Sequence, residues 1–153
     1  MKKILIALCL LFISLVAFAQ ESGSQAVLGK WYTEGNKSVV EIKQIDAKFF
    51  GNIIFLKEPM DKNDPTKPKL DDKNKVESLR NFPLIGIEFL KGFKYDGKAN
   101  KWVDGAIYNP EDGNTYFASM VIEKDGRLLL RGSLDAWGLI GKSQYWTREP
   151  SAN

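Results

Sequence analysis

The sequence predicts an all-β domain, an eight-stranded antiparallel up-and-down β-barrel. Three observations carry this. Short runs of alternating or β-branched and aromatic residues recur along the chain, Gly/Asp/Asn turn chemistry separates most of them, and no window beyond the first 19 residues holds a sustained apolar stripe of helical period. Eight short strands joined mainly by tight turns favour a meander, which removes its unpaired edges by curling closed.

The elements follow in order. Residues 28–33 form a short first strand before the turn Glu34-Gly35-Asn36. In 38–45, Val40 and Ile42 alternate with Glu41 and Lys43. Residues 48–56 are rich in Phe and Ile, with Gly51 inside the run. The fourth and fifth strands are expected at 84–93 and 101–108, with a turn at Asp96-Gly97. The sixth, 115–123, follows Glu111-Asp112-Gly113, and Lys124-Asp125-Gly126 is a hairpin signal into 127–134. Residues 142–148 close the series. Glycines 51, 86, 92, 105 and 132 fall within expected strands, as suits strands that bend hard.

The chain of 153 residues divides unevenly. Met1-Lys2-Lys3, an apolar run broken only by Ser14, and Ala17-Phe18-Ala19 read as a bacterial signal peptide over 1–19, with Gln20 as the mature start. The run is shorter than the ~20 residues of a membrane span, and no later stretch approaches that length. Cys9 lies in the middle of the run, where a lipidated Cys would follow it. The expected product is therefore exported, periplasmic or secreted, with no membrane span after leader removal. Residues 20–27 are expected to be a flexible N-terminus, 28–148 one domain and 149–153 a tail.

Composition excludes several chemistries. Loss of Lys2 and Lys3 lowers the net charge from +3 to +1, which argues against a nucleic-acid partner. There is no His, and the only Cys is in the leader. Disulfides, Ser-His-Asp and Cys-His sites, and His-ligated zinc are thereby excluded from the mature chain. No cofactor and no metal site is expected. Glu111 and Asp112 with Asp104 offer too few ligands for Ca²⁺, and the acidic runs at 61–65 and 71–74 match a calcium loop only superficially. A carboxylate-based hydrolase stays open as a third reading, although nothing selects a pair among the 19 acids.

Residues 57–83 break the strand pattern. This segment holds Pro59, Pro65, Pro68 and Pro83, and its 71–80 stretch suits one or two helical turns. Two readings stand: a solvated loop with a short helix, or a lid over a barrel mouth.

Gly29-Lys30-Trp31 opens the first strand and Trp146-Thr147-Arg148 closes the last. In a closed meander these ends are neighbours, and an Arg can stack on an indole while donating to nearby carbonyls. Gly29, Trp31, Trp146 and Arg148 are thus read as structural closure. The arrangement resembles the Gly-x-Trp and terminal-Arg signature of lipocalin-like (calycin) proteins. Trp102 and the run Gly105-Ala106-Ile107-Tyr108-Asn109-Pro110-Glu111-Asp112-Gly113-Asn114-Thr115-Tyr116 are similar to the central motif of family 2147 of the domains of unknown function. Gly29-Lys30-Trp31, Asp72-Lys73-Asn74, Arg80, Pro83-Leu84-Ile85-Gly86, Arg131-Gly132 and Trp146-Thr147-Arg148 fall in that family's order, so the resemblance spans about 28–148. It implies a secreted, lipocalin-like barrel without an implied activity. One departure is Arg80-Asn81-Phe82-Pro83, where members often carry Arg-x-Arg-Pro. The second basic residue of that pattern is absent, which weakens anion binding there.

The leading functional expectation is a binding protein for a small apolar or amphipathic molecule. The rival is a structural or interaction module whose barrel is filled by its own side chains and which meets another envelope protein. Phe49, Phe50, Phe55, Phe89 and Phe93 decide between them according to whether their rings fill the interior. The candidate binding residues are Asp72, Asn74 and Arg80 in the long loop, with Tyr108 and Tyr116 flanking the turn between the fifth and sixth strands. Connections from odd to even strands share one end of a meander, so the loop and that turn are expected to be neighbours, opposite the 124–126 hairpin.

Overall fold

The computed structural model describes residues 23–151; the leader and the mature start at Gln20 lie outside the described residues. Eight strands form one antiparallel sheet in strict sequence order: β1 Gly29–Tyr32, β2 Ser38–Ile45, β3 Lys48–Leu56, β4 Glu88–Asp96, β5 Lys101–Asn109, β6 Asn114–Ile122, β7 Leu128–Ser133 and β8 Gly141–Trp146. The sheet curls until its ends meet at a single bridge. Tyr32 and Thr147 exchange two backbone hydrogen bonds there, of 2.8 and 3.0 Å. The expected first-to-last contact is thus present, and it is confined to this bridge.

Strand alternation sorts the sequence into an apolar inside and a polar outside. Val40, Ile42, Phe49, Ile53, Leu90, Phe93, Trp102, Met120, Leu128 and Trp146 form one buried cluster. Phe49, Phe89 and Phe93 are in it, whereas Phe55 is half-exposed and Phe50 partly buried. The rings of Phe49 and Trp102 meet edge to face at 6.2 Å, and those of Phe89 and Trp146 at 6.1 Å. Side chains therefore fill the barrel. Two glycines make room for them: a Cβ on Gly51 would lie 2.8 Å from Leu90 Cδ1, and one on Gly105 would lie 2.3 Å from the Phe93 ring. Between the pairs Lys91–Ala106 and Lys94–Val103, Gly92 (φ 70°) and Asp104 (φ 56°) both adopt the left-handed region, which bends the β4–β5 ribbon.

The end away from the long loop is sealed. The Arg148 guanidinium lies 3.8 Å over the Trp31 ring and donates to the carbonyls of Leu28 (2.7 Å), Lys30 (3.1 Å) and Ala26 (2.6 Å). Gly29, at φ 94°, is where the chain passes beneath it. Residues 23–27 were expected to belong to a flexible terminus. They form instead a 3-10 turn, Gly23–Val27, whose carbonyls accept the indole N–H groups of two core tryptophans, Trp31 to Val27 (2.8 Å) and Trp102 to Ser24 (3.3 Å). A buried indole needs an acceptor, and this turn supplies both. The tail is also held, since the Ser151 backbone and the Asn36 side chain exchange hydrogen bonds of 2.9 and 3.0 Å.

Candidate functional site

The β3–β4 connection is longer than the sequence suggested, because the fourth strand starts at Glu88 rather than 84. Ile85, Gly86 and Ile87 belong to the loop, and Gly86 and Ile87 tie it to β3 through backbone hydrogen bonds with Ile53. The loop doubles back on itself at the bridges Met60–Pro68 and Leu70–Pro83, and it carries one 3-10 turn, Glu77–Leu79. Its acids organise it. Asp61 accepts the N–H groups of Asn63 and Asp64, and Asp64 accepts the N–H and the hydroxyl of Thr66 and pairs with Lys67 at 2.9 Å. The Thr66 and Lys67 contacts hold the Asp64 carboxyl below its ordinary range.

The loop is pinned to the barrel by a carboxylate that the sequence did not single out. Asp71 is 3% exposed. It accepts the Tyr108 hydroxyl on one oxygen and the Asn74 side-chain amide (2.7 Å) on the other. Burial first, then the bond to the Asp71 carboxylate and its charge, push the Tyr108 hydroxyl well above the ordinary tyrosine range. Asn74 also accepts from the Val76 N–H, and Arg80 Nε donates to the Asn74 carbonyl at 2.8 Å. Gly113, at φ 69°, completes the seat: a Cβ there would lie 2.0 Å from the Lys73 carbonyl oxygen. The turn after β5 thus passes directly beneath the loop.

The five candidate residues separate in this geometry. Asn74 and Tyr108 belong to the network and line a groove, while Arg80 braces the loop from outside. Asp72 is solvated beside Lys73 at 3.4 Å, and its neighbour Asp71 is the buried residue. The only sequence signal for Asp71 was its spacing of three from Asn74, which suits a local side-chain bond. Tyr116, in β6, donates to Asp112 of the preceding turn at 2.6 Å and does not line the groove. That bond lowers the Asp112 carboxyl and raises the Tyr116 hydroxyl.

The groove between the loop and the barrel has a volume of about 800 Å³. Six apolar side chains of the loop line it, and four of them, Val76, Leu79, Phe82 and Ile85, are exposed. The Asp71–Asn74–Tyr108 network forms its polar part. Lys75, Lys91 and Glu88 stand at its edges, and neither lysine has an ion-pair partner among the described residues. Lys91, Tyr108 and Thr115 occupy strand positions that alternate with the inward Leu90, Ile107 and Tyr116. The groove therefore lies against the outside of the β4–β6 wall, at the loop end. The loop rests on that wall and not across the mouth, as the lid reading expected.

The family model described as "Uncharacterized protein conserved in bacteria (DUF2147)" matches residues 29–148. The chain belongs to this family. Among solved structures, it is similar to the Helicobacter pylori protein HP1028, described as belonging to the lipocalin family. The identity is 29%, the TM-score is 0.68, and the match covers 80% of this chain and 82% of the other. No curated protein matches the sequence. The DUF2147 domain thus takes in all eight strands and the whole groove, with the Arg148–Trp31 seal at its two limits.

Proposed function

We propose that this protein is an exported binding protein that holds a small amphipathic molecule in the groove between the 57–87 loop and the β4–β6 wall. One observation carries the reading: four apolar side chains stay exposed around a groove whose polar groups are already fixed by a buried network. Exposed apolar side chains clustered on a concave surface favour an occupant. The two unpaired lysines at the rim suit a polar or anionic head. The likeness to a lipocalin-family protein supports small-ligand binding as a class. Export rests on the leader pattern of residues 1–19, and N-terminal sequencing of the envelope fraction tests it. A chain beginning at Gln20 is expected.

Native mass spectrometry of protein isolated from its own envelope tests the binding. The expected result is a retained small molecule that is lost in Leu79→Ala/Phe82→Ala while the fold is kept. Retention by that variant would place the ligand elsewhere. The side-chain-filled interior favours a second reading, an interaction module for another envelope protein, because it leaves the barrel itself no room for a ligand. Under that reading the isolated protein carries no small molecule, and cross-linking through the groove captures a protein instead.

A further inference from the structure

The β7–β8 connection, residues 134–140, takes no part in the groove. It reads Leu134-Asp135-Ala136-Trp137-Gly138-Leu139-Ile140. Trp137 is 86% exposed, Leu139 79%, Leu134 66% and Ile140 63%. Apolar side chains this exposed would be unremarked in a loose loop, but this loop is built. The Asp135 carboxylate accepts the N–H groups of Trp137 (3.0 Å), Leu139 (3.0 Å) and Ile140 (2.7 Å). Those bonds hold the Asp135 carboxyl below its ordinary range. Leu134 N–H donates to the Ile140 carbonyl, and Gly138 N–H to the Asp135 carbonyl. From β7, Arg131 donates to the carbonyls of Gly138 (2.7 Å) and Leu139 (3.4 Å), and Ser133 Oγ donates to that of Asp135 (2.7 Å). Five of the turn's seven N–H groups and four of its seven carbonyls thus find partners within the turn or on β7, and its apolar side chains face outward.

That arrangement suits one medium in particular. A lipid interface accepts apolar side chains but penalises each backbone group that enters without a partner. Tryptophan favours the headgroup level, with its ring in apolar surroundings and its N–H near water. The charge beside the loop fits as well. Lys142, two residues beyond it at the start of β8, is exposed and carries no ion pair among the described residues. We propose that the 134–140 loop is a foot that seats this protein on an anionic lipid surface. The β7–β8 and β3–β4 connections both join an odd to an even strand, so the foot and the groove share an end of the barrel. A seated protein holds its groove close to the bilayer.

Tryptophan fluorescence isolates the test, because Trp31, Trp102 and Trp146 are each 1% exposed. Protein beginning at Gln20, which carries the whole barrel, is mixed with phosphatidylcholine–phosphatidylglycerol vesicles containing brominated acyl chains. The expected result is a blue shift with quenching, both absent in Trp137→Phe. Co-flotation with vesicles should fall about tenfold or more in Trp137→Ser/Leu139→Ser, in line with the apolar area removed. Ile45→Ser, at the other end, should float like the parent. Unquenched wild-type emission overturns the proposal, as does flotation that survives the double change. Self-association of the parent that the same change abolishes also overturns it, in favour of a second copy. If the double variant misfolds by near-ultraviolet circular dichroism, the wild-type quenching alone decides. The foot uses no groove residue, so loss of vesicle binding with the retained small molecule intact separates its failure from that of the groove.

Discussion

The two ends of the barrel use the same materials in opposite ways. At the sealed end, three tryptophans are buried and the polar groups around them, Arg148 and the carbonyls of 23–27, serve to cover them. At the loop end, the polar groups are turned inward on the loops themselves, as Asp71 and Asp135 are, and apolar side chains are left outside. Among the exposed large apolar residues, Ile45 belongs to the sealed end and Tyr145 lies under the Arg127 guanidinium at 4.2 Å. Nearly all the rest lie in the loop-end connections or within a few residues of them. The first arrangement stabilises the barrel, and the second holds a surface open without relying on that surface for stability.

The contrast can be broken at either end. The largest effect is expected at the seal, where Trp31→Ala should lower stability by about 3–5 kcal/mol in chemical denaturation. A double-mutant cycle with Arg148→Ala should show coupling of about 0.5–3 kcal/mol, and additive effects would disconnect the two residues. At the loop's seat, Gly113→Ala should cost about 1–3 kcal/mol, because it puts a Cβ at positive φ against a backbone oxygen. Hydrogen exchange at the Asp71 and Asn74 amides should speed up while the strand amides keep their protection.

Tyr108→Phe should cost about 1–3 kcal/mol at neutral pH, since it leaves a buried carboxylate oxygen without its donor. The same variant carries a pH signature. The folded state keeps the Tyr108 hydroxyl protonated beyond its ordinary value of 10.0, so its contribution is complete below that pH and is lost as pH rises above it. The stability difference between parent and Tyr108→Phe should therefore shrink above pH 10.0, as unfolding curves at stepped pH will show. The smallest effect is expected from Phe82→Ala, within about 0.5 kcal/mol of the parent, because that ring is already largely exposed. A large loss there would mean that the groove's apolar lining supports the fold.

Most of the barrel was legible in the sequence because strand alternation and turn chemistry are local signals. The Val40/Ile42 alternation, the Gly51 close approach and the parity that brings the long loop beside the β5–β6 turn are all readable in the order of residues. The start of β4 was not, because Leu84 to Ile87 have strand composition and only their pairing to Ile53 shows that they belong to the loop. Asp71 and Asp72 look alike in sequence, and burial under the loop distinguishes them. The 134–140 turn is not legible for a related reason: a Trp, two Leu and an Ile suggest a core, and composition does not reveal that they face outward.

The Tyr32–Thr147 bridge also has a kinetic consequence. Every full ladder joins strands adjacent in sequence, so the sheet can assemble hairpin by hairpin, with the 57–87 connection the one long loop among the ladders. Closure is different. The contacts that Arg148 and Ser151 make with residues 26–36 span 115 to 122 residues, the longest loops this chain must close. Folding is therefore expected to end with residues 147–151 converting a ribbon of hairpins into a ring. A chain stopped at Tyr145 would keep nearly all of its ladders and lose the clasp.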